Sequence, residues 1–226
     1  MPNVLGVSSL ACVRGERPIF VDLDFKLSDG DLLQVTGRNG AGKSSLLRVL
    51  TGLLPYSLGN LTWNGQTVED CLPEYRENFH YIGHRNPIKD RLTVFENLLI
   101  WAKIHNQDAR PTHIGNTTNA LEVFQLISLK DIPARMLSSG QRRRLTLAKL
   151  LLQDRPLWIL DEPTVGLDHA SVSQLEIMIE EHRRKGGIAV VTTHSRMTLL
   201  QAIKLNMDEH NPADRDLSAF WGEVAS

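Results

Sequence analysis

The sequence predicts an α/β chain with a mixed sheet core: an N-terminal antiparallel β part, a parallel sheet with crossover helices, and an inserted helical lobe at about residues 84–140. Period-two alternation dominates the first third. Two wholly apolar runs, 157–160 and 188–191, flank a helical pattern, as buried parallel strands joined by a crossover do. Between these regions, apolar residues recur at helical spacing.

In the first third, Val21, Leu23, Phe25 and Leu27 alternate with Asp22, Asp24 and Lys26, which is a strand wet on one face. Leu32, Leu33 and Val35 form a short buried strand running into Gly37, and a helix follows over about 44–51, with Gly52 as its stop. Asn64-Gly65 marks a hairpin turn. Thr93-Val94-Phe95-Glu96 is a capping box, and Val94, Leu98, Trp101 and His105 continue on one helical face. Residues 106–119 are polar, with Pro111 and Gly115, and read as a loop before a second helix over about 120–129. Leu145, Ala148 and Leu152 share a helical face. Leu175, Met178 and Ile179 mark a helix ending in Arg183-Arg184-Lys185-Gly186-Gly187, where cations suit the negative end and glycine the stop. The tail at 206–226 is polar and partly disordered between 208 and 216, with Phe220 and Trp221 packing it back onto the domain.

The chain of 226 residues suits one domain, 1–226. Its 25 Lys and Arg against 26 Asp and Glu give a net charge of −1, so no basic field attracts nucleic acid. Cys12 and Cys71 make neither a metal-ligand spacing nor a disulfide framework, and no Cys-x-x-Cys-His haem attachment sequence occurs. No apolar run approaches the ~18 residues of a membrane span, and the N-terminus carries no signal or transit pattern.

Gly37-Arg38-Asn39-Gly40-Ala41-Gly42-Lys43-Ser44 is a phosphate-binding loop placed between a strand and a helix. Its glycines permit backbone conformations that let N–H groups converge on phosphate oxygens, and the helix that includes Ser45 aims its positive end there. Lys43 suits the β- and γ-phosphates of ATP, and the Ser44 hydroxyl suits Mg2+. The strand at 157–160 presents Asp161 at the carboxyl edge of the sheet as a second magnesium ligand, direct or through water. Glu162 follows as the base for the attacking water.

Leu137-Ser138-Ser139-Gly140-Gln141 begins a helix with a hydroxyl and bare N–H groups, which serve either a phosphate or an ordinary helix cap. The P-loop surrounds its own nucleotide, so this turn suits a second one on a second copy. Arg142, Arg143 and Arg144 read as cations near a docked anion or as a solvated basic face. His194, at the end of the 188–191 strand, is placed to hydrogen-bond a γ-phosphate, or is structural. Asp168 serves the loop after the base, the N-cap of the next helix, or both. The remaining histidines read as surface or packing residues.

These pieces, in this order, resemble the nucleotide-binding subunits of ATP-binding cassette (ABC) transporters, a P-loop NTPase fold, over most of the chain. The resemblance implies a head-to-tail dimer with each ATP held between one copy's P-loop and the other's residues 138–141, with Asp168 at the shared interface. It also implies that the 84–140 lobe docks on a transmembrane permease subunit, with the chain peripheral on the cytoplasmic face of a bacterial inner membrane or the matrix face of a mitochondrial one. Residues 81–84, 88–98, 157–163 and 185–188 look like the subfamily that serves cytochrome c biogenesis, the haem exporter ATPases. That likeness implies ATP hydrolysis coupled to haem export or to release of haem from its chaperone. Another small ABC exporter is the alternative, and a soluble non-transport cassette ATPase is the more distant one. Two departures stand out: His84-Arg85 replaces the family's usual Gln before the lobe, and Arg14 stands near the usual aromatic adenine platform.

Overall fold

The computed structural model describes residues 2–15, 17–104, 112–193 and 197–212. Strands β1 (Val4–Arg14) and β2 (Arg17–Ser28) form an antiparallel pair, and β1 also pairs with β4. After β3 (Leu32–Thr36) and helix α1 (Lys43–Leu50), β4 (Leu58–Trp63) turns into β5 (Gln66–Thr67). Asn64 and Gly65 both have positive φ, 52° and 83°, as the expected two-residue hairpin requires. The first sheet has the order β2-β1-β4-β5.

The chain continues through α2 (Leu72–Arg76), β6 (Phe79–Ile82), α3 (Val94–Ile104), α4 (Thr112–Val123), α5 (Ser139–Ala148), β7 (Leu157–Asp161), α6 (His169–Arg184), β8 (Ile188–Thr192) and β9 (Ile203–Asn206). The second sheet has the order β6-β7-β8-β3-β9, and its pairs are parallel. Every residue of β7 and β8 is buried, because both faces of this sheet are covered. One apolar cluster joins the antiparallel sheet to α1 and includes Phe20, Leu47 and Tyr75. The other joins the opposite face to α3, α4, α5 and α6 and includes Leu98, Leu121, Leu145 and Leu175.

The expected loop at 106–119 is corrected over 112–119, and its first part, 106–111, lies outside the described residues. Residues 112–123 are helical, although they carry Gly115, Asn116 and Asn119. Thr117, Ala120 and Leu121 are fully buried and Asn116 Nδ2 donates to the Leu152 carbonyl, so packing overrides poor helix propensity. The helix also stops earlier than the expected 129. Gln125 adopts φ 54° and Leu126 N donates to Leu121 O, a left-handed helix end without glycine. Residues 127–129 form a separate 3-10 turn.

The described part of the tail is ordered into the fold rather than loose. β9 pairs with β3, Met207 is fully buried, and the Asp208 carboxylate accepts from Arg38 N at 3.1 Å and pairs with the Arg38 guanidinium at 3.2 Å. Phe220 and Trp221 lie outside the described residues. Among those residues no helix is long and apolar enough to cross a membrane.

His182, on α6, stacks flat on Trp158 of β7 with ring centroids 4.1 Å apart. A Cβ on Gly187 would meet this ring at 2.2 Å, so glycine is required there. Burial pushes the His182 pKa down to about 4, outweighing the Ile188 carbonyl and Asp154, which raise it. The unfolded chain therefore binds the proton first. The contribution is fully present above the usual value of 6.5 and is lost as pH falls from there towards 4, about 3 kcal/mol in all. Urea unfolding should show this loss between pH 7 and pH 4.5, and His182→Gln should flatten the slope. An unchanged slope in that variant would assign the acid sensitivity elsewhere.

Candidate functional site

The P-loop gets its shape from three left-handed glycines, Gly37 (φ 134°), Gly40 (φ 86°) and Gly42 (φ 95°). Gly42 is the N-cap of α1, and among the described residues no side chain caps that end. First-turn N–H groups have no partner within the helix, so this end offers donors to an anion. Lys43 is 7% exposed. Its ammonium donates to the carbonyls of Gly37 at 2.7 Å and Arg38 at 3.1 Å, which curls the loop around it.

Ser44, the next residue of α1, donates its hydroxyl to Asp161 Oδ1 at 3.1 Å, and Thr192 Oγ1 donates to the same oxygen at 2.8 Å. Asp161 Oδ2 is buried, with no hydrogen-bond partner among the described residues. A buried carboxylate oxygen left over beside a serine hydroxyl suits a hard divalent cation. The sequence reading passed over Thr192. Its register opposite Asp161 in the β7–β8 pair places its hydroxyl there. A hydroxyl ending an all-apolar strand was the available signal.

Glu162 follows at φ 46°, a strained conformation for a residue with a Cβ. It is held from both sides: its N–H donates to Thr192 Oγ1 at 2.9 Å, and its carbonyl accepts from Arg143 Nη2 at 2.8 Å. Its side chain faces a cleft of about 730 Å³ lined also by Asn39, Lys43, Ser44, His84 and Val165. The P-loop and the acidic strand end thus converge as expected. Ile19, not Arg14, is the side chain from the β1–β2 pair that lines the cleft, and Arg14 is exposed at the strand turn. His84 lines both the cleft and a neighbouring surface groove, which Arg85 shares with Arg48 and Lys149.

Residues 138–141 do not line this cleft. Ser138 is the exposed N-cap of α5 in a full capping box: Gln141 N donates to Ser138 Oγ at 3.2 Å and Ser138 N to Gln141 Oε1 at 2.9 Å. Gly140 lies so close to the 162–168 loop that a Cβ there would meet Gly166 O at 2.8 Å. Asp168 N-caps α6 by accepting from Ser171 N at 2.9 Å, and its hydrogen bonds with Ser171 hold its carboxyl below the usual range.

The arginine run does not form one solvated basic face, because its three side chains diverge. Arg142 pairs with Asp90, Arg144 donates to Phe124 O, and Arg143 is buried. His194 lies outside the described residues.

A family model described as "ABC transporter" matches residues 20–165. The chain is 46% identical over 211 residues to the "Cytochrome c biogenesis ATP-binding export protein CcmA" of Rhodospirillum rubrum, covering 93% of this chain and 88% of that one. It is 44% identical to the protein of that name from Paramagnetospirillum magneticum, covering 94% and 97%. Among solved structures, an ATP-binding subunit of an ABC transporter superposes with a TM-score of 0.80 at 24% identity, covering 99% of this chain and all of that one. A nucleotide-free ATP-binding cassette from an ABC transporter superposes with a TM-score of 0.74 at 21% identity, covering 91% and 87%. With its P-loop, the capped helix α5 and the acidic strand end all inside the residues that the family model matches, the chain belongs to the ABC transporter family, as an ATPase subunit.

Proposed function

We propose that the chain energises a membrane complex for cytochrome c biogenesis, coupling ATP hydrolysis to haem export or to release of haem from its chaperone. The observation that carries this is the 46% identity, sustained over 93% of the chain, to a relative named for that process.

Chemically, the loop N–H groups and Lys43 hold the triphosphate. Ser44 and Asp161 hold magnesium, for which the partnerless Asp161 Oδ2 is suited. An ion held by these residues would supply positive charge against the triphosphate. Glu162 takes the proton from the attacking water, and His194, which follows β8 in sequence, acts on the γ-phosphate. The exposed Ser138–Gln141 end of α5, absent from its own cleft, supports a head-to-tail dimer in which Ser138, Ser139, Gly140 and Gln141 close on the partner copy's ATP. Closure favoured by ATP then drives a permease subunit docked on the helical lobe, with the chain on the cytoplasmic face of the membrane.

Affinity capture of the tagged chain from solubilised membranes is the test. Recovery of a permease of cytochrome c maturation is expected. Recovery of an unrelated permease in its place would reject the biological assignment and leave the ATPase chemistry standing.

A further inference from the structure

Arg143 is a buried guanidinium, 4% exposed, and among the described residues its hydrogen-bond partners include no carboxylate side chain. Its fork is spent on two separate segments, on four backbone carbonyls and one amide side chain. Nη2 donates to Asp161 O at 2.9 Å and to Glu162 O at 2.8 Å, and Nε donates to Pro163 O at 3.1 Å. Nη1 donates to Gly83 O at 3.0 Å and to Asn86 Oδ1 at 3.3 Å. The arginine itself belongs to α5, whose exposed N-terminus is the Ser138 cap.

Three pieces of chain meet at this one group: α5, the 83–86 loop that leads into the helical lobe, and the 161–163 turn that carries Glu162. That turn is the strained one, at φ 46°. A left-handed glutamate persists only if its surroundings over-determine it. A planar, five-donor fork fixes direction as well as charge, which an ammonium does not.

We propose that Arg143 is the positioning residue for the base: by clamping the Asp161, Glu162 and Pro163 carbonyls to α5 and to the 83–86 loop, it makes the aim of the Glu162 carboxylate depend on where those two segments stand. A shift of the lobe at residues 83–86, or of α5 when its Ser138 end meets a partner copy, then reaches the base through a single side chain. The proposal rests on Glu162 being the base.

The test is a double-mutant cycle on the full chain, comparing wild type, Arg143→Lys, Glu162→Gln and the combined variant. Turnover is read under single-turnover conditions, ATP affinity with a fluorescent analogue, and folding by thermal melting. Arg143→Lys keeps a cation but cannot span all five acceptors. Its kcat should fall about 10–100-fold, the scale of a misplacement near 1 Å, while ATP affinity stays within about twofold. In the Glu162→Gln background the same substitution should cost nothing more, because no base is left to misplace. A kcat equal to wild type overturns the proposal. So does an equal loss in both backgrounds, which is what a general packing defect gives. If Glu162→Gln itself turns over normally, the base assignment fails, and the cycle shows that separately. Should Arg143→Lys not fold, Asn86→Ala, which removes one acceptor from the fork, takes its place. A several-fold kcat loss confined to the Glu162 background is expected, and no loss or an additive one overturns the proposal.

Discussion

Glu162→Gln should bind ATP about as tightly as wild type and hydrolyse it roughly 10²–10⁴-fold more slowly, the usual worth of a positioned general base. The structure makes this a clean substitution. The residue is anchored through its backbone: the N–H donates to Thr192 Oγ1 and the carbonyl accepts from Arg143. Glutamine keeps the shape and those anchors at φ 46°, and loses only the proton acceptor. P-loop contacts are untouched, because Lys43 and Ser44 reach their partners without Glu162. The variant should therefore accumulate as an ATP-bound dimer in size-exclusion chromatography with ATP and magnesium. Turnover at the wild-type rate would remove Glu162 from the base role. Slow turnover by a strictly monomeric species would keep the base and remove the shared pocket.

What could be read from the residues alone divides by range. The P-loop, the Asp161–Glu162 strand end and the Asn64–Gly65 turn are local in sequence, so spacing and residue type were sufficient to place them. The helix at 112–123 was not legible, because its support comes from Leu152 and the buried faces of α3 and α5, not from its own weak formers. β1 gives no clean alternation, because a bulge at Ser9 (φ 46°) shifts its register against β2 between Val7 and Leu10. Arg143 was hidden for another reason. It sits between Arg142 and Arg144, which pair with Asp90 and donate to Phe124 O, and nothing in a run of three arginines tells which one turns inward. Only the fold, by bringing residues 83–86 and 161–163 to one side of α5, decides it. The identity of the cleft residue Ile19 follows the same rule, since it depends on how β2 crosses the P-loop.

Lys43→Ala should weaken ATP binding by about 10–1,000-fold while changing the melting temperature of the free chain little. One charge-assisted hydrogen bond to phosphate at about 1.5 kcal/mol sets the lower end and two at about 2 kcal/mol each set the upper end, with 1.4 kcal/mol per factor of ten. The free chain is insulated because its loss is two-sided. Removing the ammonium deprives the Gly37 and Arg38 carbonyls of a donor, but it also removes a cation only 7% exposed, whose burial was itself unfavourable. Lys43 carries a large share of the binding for a further reason. Arg38 N already donates to the Asp208 carboxylate at 3.1 Å, so that loop donor is engaged by the protein's own acid, and the cleft lining contains no arginine among the described residues. Titration with a fluorescent ATP analogue, beside thermal melting of the free chain, separates the two quantities. Normal affinity with an intact melt would defeat the phosphate role of Lys43, whereas a collapsed melt would mean that the lysine's grip on the Gly37 and Arg38 carbonyls holds the loop together before any nucleotide arrives.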